Sequence, residues 1–229
     1  MKSNLGPEAL PLFPLPGVVL FPTLSVPLYI FEPRYRAMTH AALTSNRRIG
    51  MVAIRPEAGA EIDGDPAIFE IGCEGEIRQA RERPDGSLDI LLVATQRFRI
   101  LEEHPRAELY RTARIESLTE ESVSEAEGAP TALRARIFET LCEIARCTGP
   151  AQDAEVERKR VESLGKLKEF TDTQFVHVVA QATDLGVLDK QKLLEASGPE
   201  PRYRMLDEFL RVRLGELVGR IAPGSDLLQ

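Results

Sequence analysis

Pro27-Leu28-Tyr29-Ile30-Phe31-Glu32-Pro33-Arg34-Tyr35-Arg36 changes periodicity halfway along. Ser25–Ile30 is apolar and β-branched, so it predicts a strand, and Pro22 and Pro27 direct it to an edge, where a missing N–H costs little. Pro33 suits the first position of a helix, because its φ is already helical and its absent N–H would have had no partner there. Tyr35, Met38, Ala42 and Leu43 then recur at helical spacing up to Asn46. A strand delivering the chain straight into a helix, inside a half otherwise made of strands, predicts an α+β fold.

Working outward, Val18–Phe21, Arg48–Ile54, Ile68–Cys73, Glu76–Arg81, Leu88–Val93, Phe98–Glu102 and Tyr110–Ser117 predict further short strands. Pro84-Asp85-Gly86-Ser87 predicts a hairpin turn, with proline presetting one dihedral and glycine permitting positive φ. Thr119–Pro130 carries Glu120, Glu121, Glu125 and Glu127 with Gly128 and Pro130, and it reads as a linker. Beyond it the period becomes helical. Leu133, Ile137, Leu141 and Ile144 form one stripe that Thr148-Gly149-Pro150 ends. Further helices are expected from Asp153 through Leu167, over Phe175–Leu185, over Lys190–Ala196 and over Tyr203–Ile221, with Gly198-Pro199-Glu200-Pro201 as a break. The domains expected are therefore a β domain over 8–118, an acidic linker over 119–130 and a helical bundle over 131–222.

Composition narrows the function. The 229 residues are 43% hydrophobic and 28% charged, with no apolar run near the ~20 residues that cross a bilayer. Prolines interrupt the apolar N-terminal stretch, so no export signal is read, and three widely split cysteines, Cys73, Cys142 and Cys147, fit a reducing compartment. A cytoplasmic location without membrane association is expected. Residues 1–118 hold 14 Lys+Arg against 16 Asp+Glu and residues 119–229 hold 15 against 20, so neither half offers the positive field that nucleic acid demands.

The chemistry of common enzymes is missing from the pattern. Gly165-Lys166 is followed by Leu167 where a P-loop needs Ser or Thr, and its earlier glycine position is Arg160. No G-x-S-x-G is present. His40, His104 and His177 have no paired spacing, and Cys142 and Cys147 lie about 140° apart around a helix, so no metal site is expected. Nor is a cofactor.

Leu10–Leu15, Val19-Leu20-Phe21-Pro22 and the Pro27–Arg36 stretch together closely resemble the opening of the Lon N-terminal domain family. Gly50–Ile54, Ile71–Ile77, Asp85–Val93, Gln96–Ile100 and Tyr110–Ala113 continue the resemblance in the family's order, over about half the chain. It implies a PUA-like pseudo-β-barrel with one internal helix, followed by a helical bundle. It also implies a receptor that captures unfolded or tagged proteins and peptides beside an ATPase or protease. Without a nucleotide site or a Ser–Lys dyad, the expectation is a free-standing, non-catalytic binding module. The alternatives are a hydrolase, or hydrolase subunit, with a site assembled from scattered residues, and an RNA-binding barrel using Arg78, Arg81, Arg83, Arg97 and Arg99.

Five residues are candidates for peptide contact. Phe21 and Leu24 bracket a proline-stiffened loop that can lie beside an extended peptide, or they fill the barrel end. Tyr35 shares a ridge with Phe31, four residues earlier, that packs the helix onto the barrel or meets a ligand. Arg34 and Arg97 pair with Glu32 or with a peptide carboxylate. Glu32 complements the positive end of the helix, and Gly72 and Gly75 mark a bulge or sharp strand bend.

Overall fold

A computed structural model describes residues 9–57, 65–119, 129–149 and 154–221. Most of the acidic linker, residues 120–128, lies outside them. Two compact units emerge, one formed by Met1–Thr119 with Gln181–Glu195, the other by Glu120–Ala180 with Ala196–Gln229.

The first unit is a strand ring. Its strands are β1 (Ala9–Pro16), β2 (Ser25–Ile30), β3 (Arg48–Ile54), β4 (Ile71–Glu82), β5 (Leu88–Glu103) and β6 (Thr112–Leu118), with α1 (Pro33–Leu43) after β2 and α5 (Val187–Glu195) added from far along the chain. The order β2-β5-β4-β3-β1-β6, with a further β5–β6 pairing, closes five strands into a ring and leaves β2 on the outside. The 16-residue β5 makes this possible, because Leu88–Val93 pairs with β2 while Arg97–Glu103 pairs with β6. Here is the expected pseudo-barrel with one internal helix.

Two corrections concern strand count. Ile68–Cys73 with Glu76–Arg81, and Leu88–Val93 with Phe98–Glu102, are each one long strand, because what reads as a break is a bulge. Glu74 pairs with Gln96 but Gly75 with Ala94, which leaves Thr95 as the extra residue, its hydroxyl donating to the Glu74 carbonyl at 3.1 Å. Val18–Phe21 is not a strand. Gly17 takes a φ of +70° and turns the chain after β1, and Val19, Leu20 and Phe21 are buried without joining the sheet.

Phe13, Leu20, Ile30, Met38, Met51, Ile77 and Leu92 fill the main core, and α1 lays Tyr35, Met38, Thr39 and Ala42 on it. A smaller cluster gathers round Phe98, whose ring lies so close to Gly50 and Gly72 that a Cβ on either would come within 2.8 Å of it. The hairpin turn forms as the sequence predicts. Gly86 has a φ of +77°, and the Asp85 carboxylate accepts from the Ser87 N–H at 3.0 Å and its hydroxyl at 2.6 Å. These bonds hold the Asp85 carboxyl below its ordinary range.

The second unit holds α2 (Ala129–Cys147), α3 (Ala154–Lys166), a 3-10 turn (Leu167–Glu169), α4 (Asp172–Ala182) and α6 (Pro199–Ile221). The break expected over Gly198–Pro201 is shorter and lies earlier: α5 ends at Glu195, Gly198 takes a φ of +115° in the break, and α6 begins directly after it. Pro199 opens α6 and Pro201 lies in its first turn, where the missing N–H has no intrahelical partner to lose. Arg134 ties α2 to the following turn, pairing with Asp172 at 2.7 Å, donating to the Phe170 carbonyl at 2.7 Å and lying 4.7 Å above the Phe175 ring. Phe175 stacks on Tyr203 at 5.9 Å. Burial pushes the Tyr203 phenol well above its ordinary pKa. Arg202 and His177, both fully buried, meet at 2.9 Å.

Candidate functional site

The alternation of β2 sets the site. Val26, Leu28 and Ile30 turn toward the core, while Ser25, Pro27 and Tyr29 face outward on the outermost strand. The outward row continues one step past the strand to Phe31. Tyr29 is 49% and Phe31 60% exposed, and their rings stack at 5.7 Å. Asp89 lies opposite Tyr29 in the β2–β5 register and receives two 2.8 Å hydrogen bonds from Arg83. That pair holds the guanidinium 4.8 Å above the Tyr29 ring. Hydrogen bonding from Arg83 keeps the Asp89 carboxyl below the usual carboxylate range.

Phe31 does not form the expected ridge with Tyr35. It precedes α1, whose N-cap is Glu32, so the helical four-residue spacing does not reach it. The Glu32 carboxylate also makes no cap hydrogen bond and instead accepts from Arg34 at 2.9 Å. Arg34 in turn lies 4.6 Å over the Tyr35 ring. Tyr35 is buried, edge-on to Phe13 at 4.5 Å, and donates its hydroxyl proton to the Pro14 carbonyl at 3.2 Å.

Beyond Arg34 lies a narrow crevice lined by Pro14, Tyr35, Arg106, Leu109, Tyr110 and Arg111, among others. Leu109 is 66% exposed, whereas the Tyr110 hydroxyl is buried and has no hydrogen-bond partner among the described residues. The arginines are neutralised in place. Arg106 pairs with Asp65 at 2.5 Å, and Arg111 holds Glu103 through bonds of 2.7 and 2.5 Å. Desolvation raises the pKa of both Tyr35 and Tyr110, so both hydroxyls stay protonated at neutral pH and neither serves as a general base. What the surface offers is aromatic area, an exposed leucine and guanidinium groups held in place. Protein-binding hot spots are rich in aromatic and arginine side chains.

The five residues named from sequence lie in different settings. Phe21 is fully buried, and Leu24 is half-buried against the main core. Their loop is hydrogen-bonded to β5, Thr23 N–H to the Ala94 carbonyl at 3.1 Å and Ala94 N–H to the Leu24 carbonyl at 2.8 Å, so its backbone is not free for a peptide. Arg97 is buried and donates to the carbonyls of Leu194 and Glu195 at 2.9 and 3.4 Å, fixing the C-terminal end of α5. Of the five, Arg34 and Tyr35 line the crevice, and Arg34 is bonded to Glu32, the residue after Phe31. Tyr29, Arg83 and Leu109 were not singled out for peptide contact. Reading Tyr29 and Phe31 as outward residues two apart on an edge strand is the signal that finds them.

The basic face imagined for RNA is not assembled. Arg97 is buried, Arg78 pairs with Glu76 at 3.1 Å, Arg83 with Asp89 and Arg99 with Glu116 at 3.3 Å.

Comparison with known proteins agrees with this architecture. The N-terminal domain of the Mycobacterium avium complex Lon protease superposes with a TM-score of 0.67 at 16% identity, covering 89% of this chain and 98% of that one. Lon protease of Heliobacterium modesticaldum is 30% identical over 203 residues, which are 89% of this chain and 24% of that protein. Lon protease 2 of Syntrophobacter fumaroxidans is 27% identical over 197 residues, 85% of this chain and 23% of that protein. The chain thus spans about a quarter of the length of the curated relatives it matches. The family model for the ATP-dependent protease La (LON) substrate-binding domain matches residues 9–212, a span that takes in every strand and the first 14 of the 23 residues of α6, and the chain belongs to that family.

Proposed function

We propose that this chain is a non-catalytic module that recognises exposed apolar segments of unfolded or tagged polypeptides, through the aromatic edge of β2 and the adjoining Arg34–Leu109 surface. The observation that carries the reading is the Tyr29–Phe31 stack, two rings half exposed or more beside an outermost strand. Isolated apolar residues on a surface need no explanation, but two stacked rings fixed by an arginine form a preorganised apolar platform. Covering what remains exposed of each ring is worth about 1–2 kcal/mol before the cost of ordering the partner. Acting beside an ATPase or protease in the cytoplasm accords with the family and with Cys73, Cys142 and Cys147 forming no disulfide among the described residues.

The test is a binding measurement with a model protein in its native and its permanently unfolded form. The unfolded form should bind and the native form should not, and Phe31→Asp should weaken binding by about tenfold or more, each tenfold being ~1.4 kcal/mol. Equal binding of both forms, or an unfolded form indifferent to Phe31→Asp, overturns the reading.

A further inference from the structure

The outer edge of β2 carries main-chain groups that no other described residue meets. Ala94 N–H donates to the Leu24 carbonyl at 2.8 Å, and from there the β2–β5 register fixes which residues of β2 bond β5. In an antiparallel ladder every second residue exchanges both of its bonds with the neighbouring strand. Those residues are Val26, Leu28 and Ile30, so the main-chain groups of Ser25, Pro27 and Tyr29 point away from β5. Pro27 agrees with this phase, since a proline facing β5 would leave a carbonyl there without its donor.

β2 pairs with β5 alone, and among the described residues no hydrogen bond reaches the outward main-chain groups of Ser25, Pro27 and Tyr29, all three of which are exposed. The edge thus presents an N–H and a C=O at Ser25, a C=O alone at Pro27, and an N–H and a C=O at Tyr29, in steps of about 7 Å. That spacing and polarity match the main chain of an extended polypeptide. Two kinds of polypeptide fit: a second copy of β2, or a strand from another chain. Pro27 decides between them. A second β2 brings a second Pro27, so in any antiparallel register that keeps Pro27 inside the ladder the missing donor is felt twice, whereas a partner without proline feels it once. Proline on a sheet edge is a device against self-pairing.

We propose that β2 receives an extended segment of a client polypeptide as an added antiparallel strand, and that it takes segments with apolar residues at alternate positions. This rests on the reading of the Tyr29–Phe31 edge as a polypeptide-binding surface. Residues directly opposite each other in an antiparallel pair place their side chains on the same face. The client residues whose N–H and C=O bond Ser25 and Tyr29 therefore lay their side chains on the face that carries the Tyr29–Phe31 stack. Main-chain bonds hold the segment whatever its sequence, and the aromatic face selects an apolar side chain at every second residue.

Three forms of one capped peptide, Lys-Val-Thr-Val-Thr-Val-Thr-Lys, test the proposal on the intact chain. The parent peptide should bind and should slow hydrogen exchange at the Ser25 and Tyr29 amides. N-methylation of its valines removes the N–H groups that face β2 and should weaken binding by about tenfold or more, whereas N-methylation of its threonines, whose N–H groups face away, should change it by less than about twofold. Pro27→Thr supplies the absent donor and should tighten binding severalfold. Equal effects of the two methylation patterns overturn strand addition, and if Phe31→Asp still weakens binding they leave the aromatic platform standing. A parent peptide that does not bind overturns both readings. A chain that sediments as a dimer, and is dissociated by the peptide, overturns the assignment to a client by making the occupant a second copy.

Discussion

Arg97 on β5 donates a 2.9 Å hydrogen bond to the carbonyl of Leu194, 97 residues further along the chain. A guanidinium at the C-terminal end of a helix meets carbonyls that have no intrahelical donor and the negative end of the helix dipole. Gln191 reinforces the joint by donating to the Ile71 carbonyl at 3.0 Å. Arg97→Ala removes the donor and leaves the acceptors buried, so it should cost about 2–3 kcal/mol of stability. Denaturant unfolding checks the magnitude, and faster hydrogen exchange across Val187–Glu195 checks the location.

Gly72 tests the close packing round Phe98. A Cβ there would sit 2.5 Å from the Met51 carbonyl oxygen and 2.6 Å from a Val52 methyl, and the backbone oxygen cannot swing aside. Gly72→Ala should destabilise the first unit by about 2–3 kcal/mol, as overpacked cores do. An unchanged melting temperature would mean that β3 and β4 separate more easily than their register implies.

Leu24 and Phe31 should respond in opposite ways to the same change. Leu24 packs on the main core, so Leu24→Asp buries a charge and should lower stability by about 2 kcal/mol or more. Phe31→Asp alters a side chain that is 60% exposed and should leave the melting temperature within a degree or two while weakening peptide binding. Thermal unfolding beside a binding curve separates the two effects.

Alkaline pH should unfold the protein through its tyrosines. Burial raises the pKa of Tyr35, Tyr110 and Tyr203 above the ordinary 10.0, so the unfolded chain loses these protons at lower pH than the native one does. The stability they confer is complete below pH 10 and falls as pH climbs from there through the native values. Tyrosinate absorbance should therefore rise together with the loss of circular dichroism, and it should do so without a preceding phase for these three residues.

The parts legible in the sequence were those in which local chemistry decides the conformation. The proline at the start of α1, the Asp85–Ser87 turn and the strand Arg48–Ile54 each follow from a few neighbouring residues. β1 does not read as a strand from its sequence, because it contains Pro11, Pro14 and Pro16. It survives because its antiparallel pairing with β6 covers only Ala9–Pro11 and its other neighbour runs parallel. β4 and β5 were split where bulges imitate chain breaks. The site was misread for a related reason. Phe31 and Tyr35 are four apart, which suggests a helix, but the helix begins between them, and the pairing that matters is with Tyr29 two residues back. That Gln181–Glu195 belongs with the strand ring was not visible at all, since the buried face of α5, Gln191, Leu193 and Leu194, looks the same whichever partner covers it.

The return of α5 to the strand ring sets an order of events during synthesis. A ribosome releases all six strands long before Glu195, and until then the Arg97 side chain waits inside a nascent ring without the carbonyls of Leu194 and Glu195. A fragment cut after Thr119 would hold every strand of the ring yet lack the two α5 carbonyls that Arg97 bonds and the apolar cover of Leu193 and Leu194, so it should behave as a sticky, partly formed species. Adding residues 181–195 as a separate peptide should rescue it.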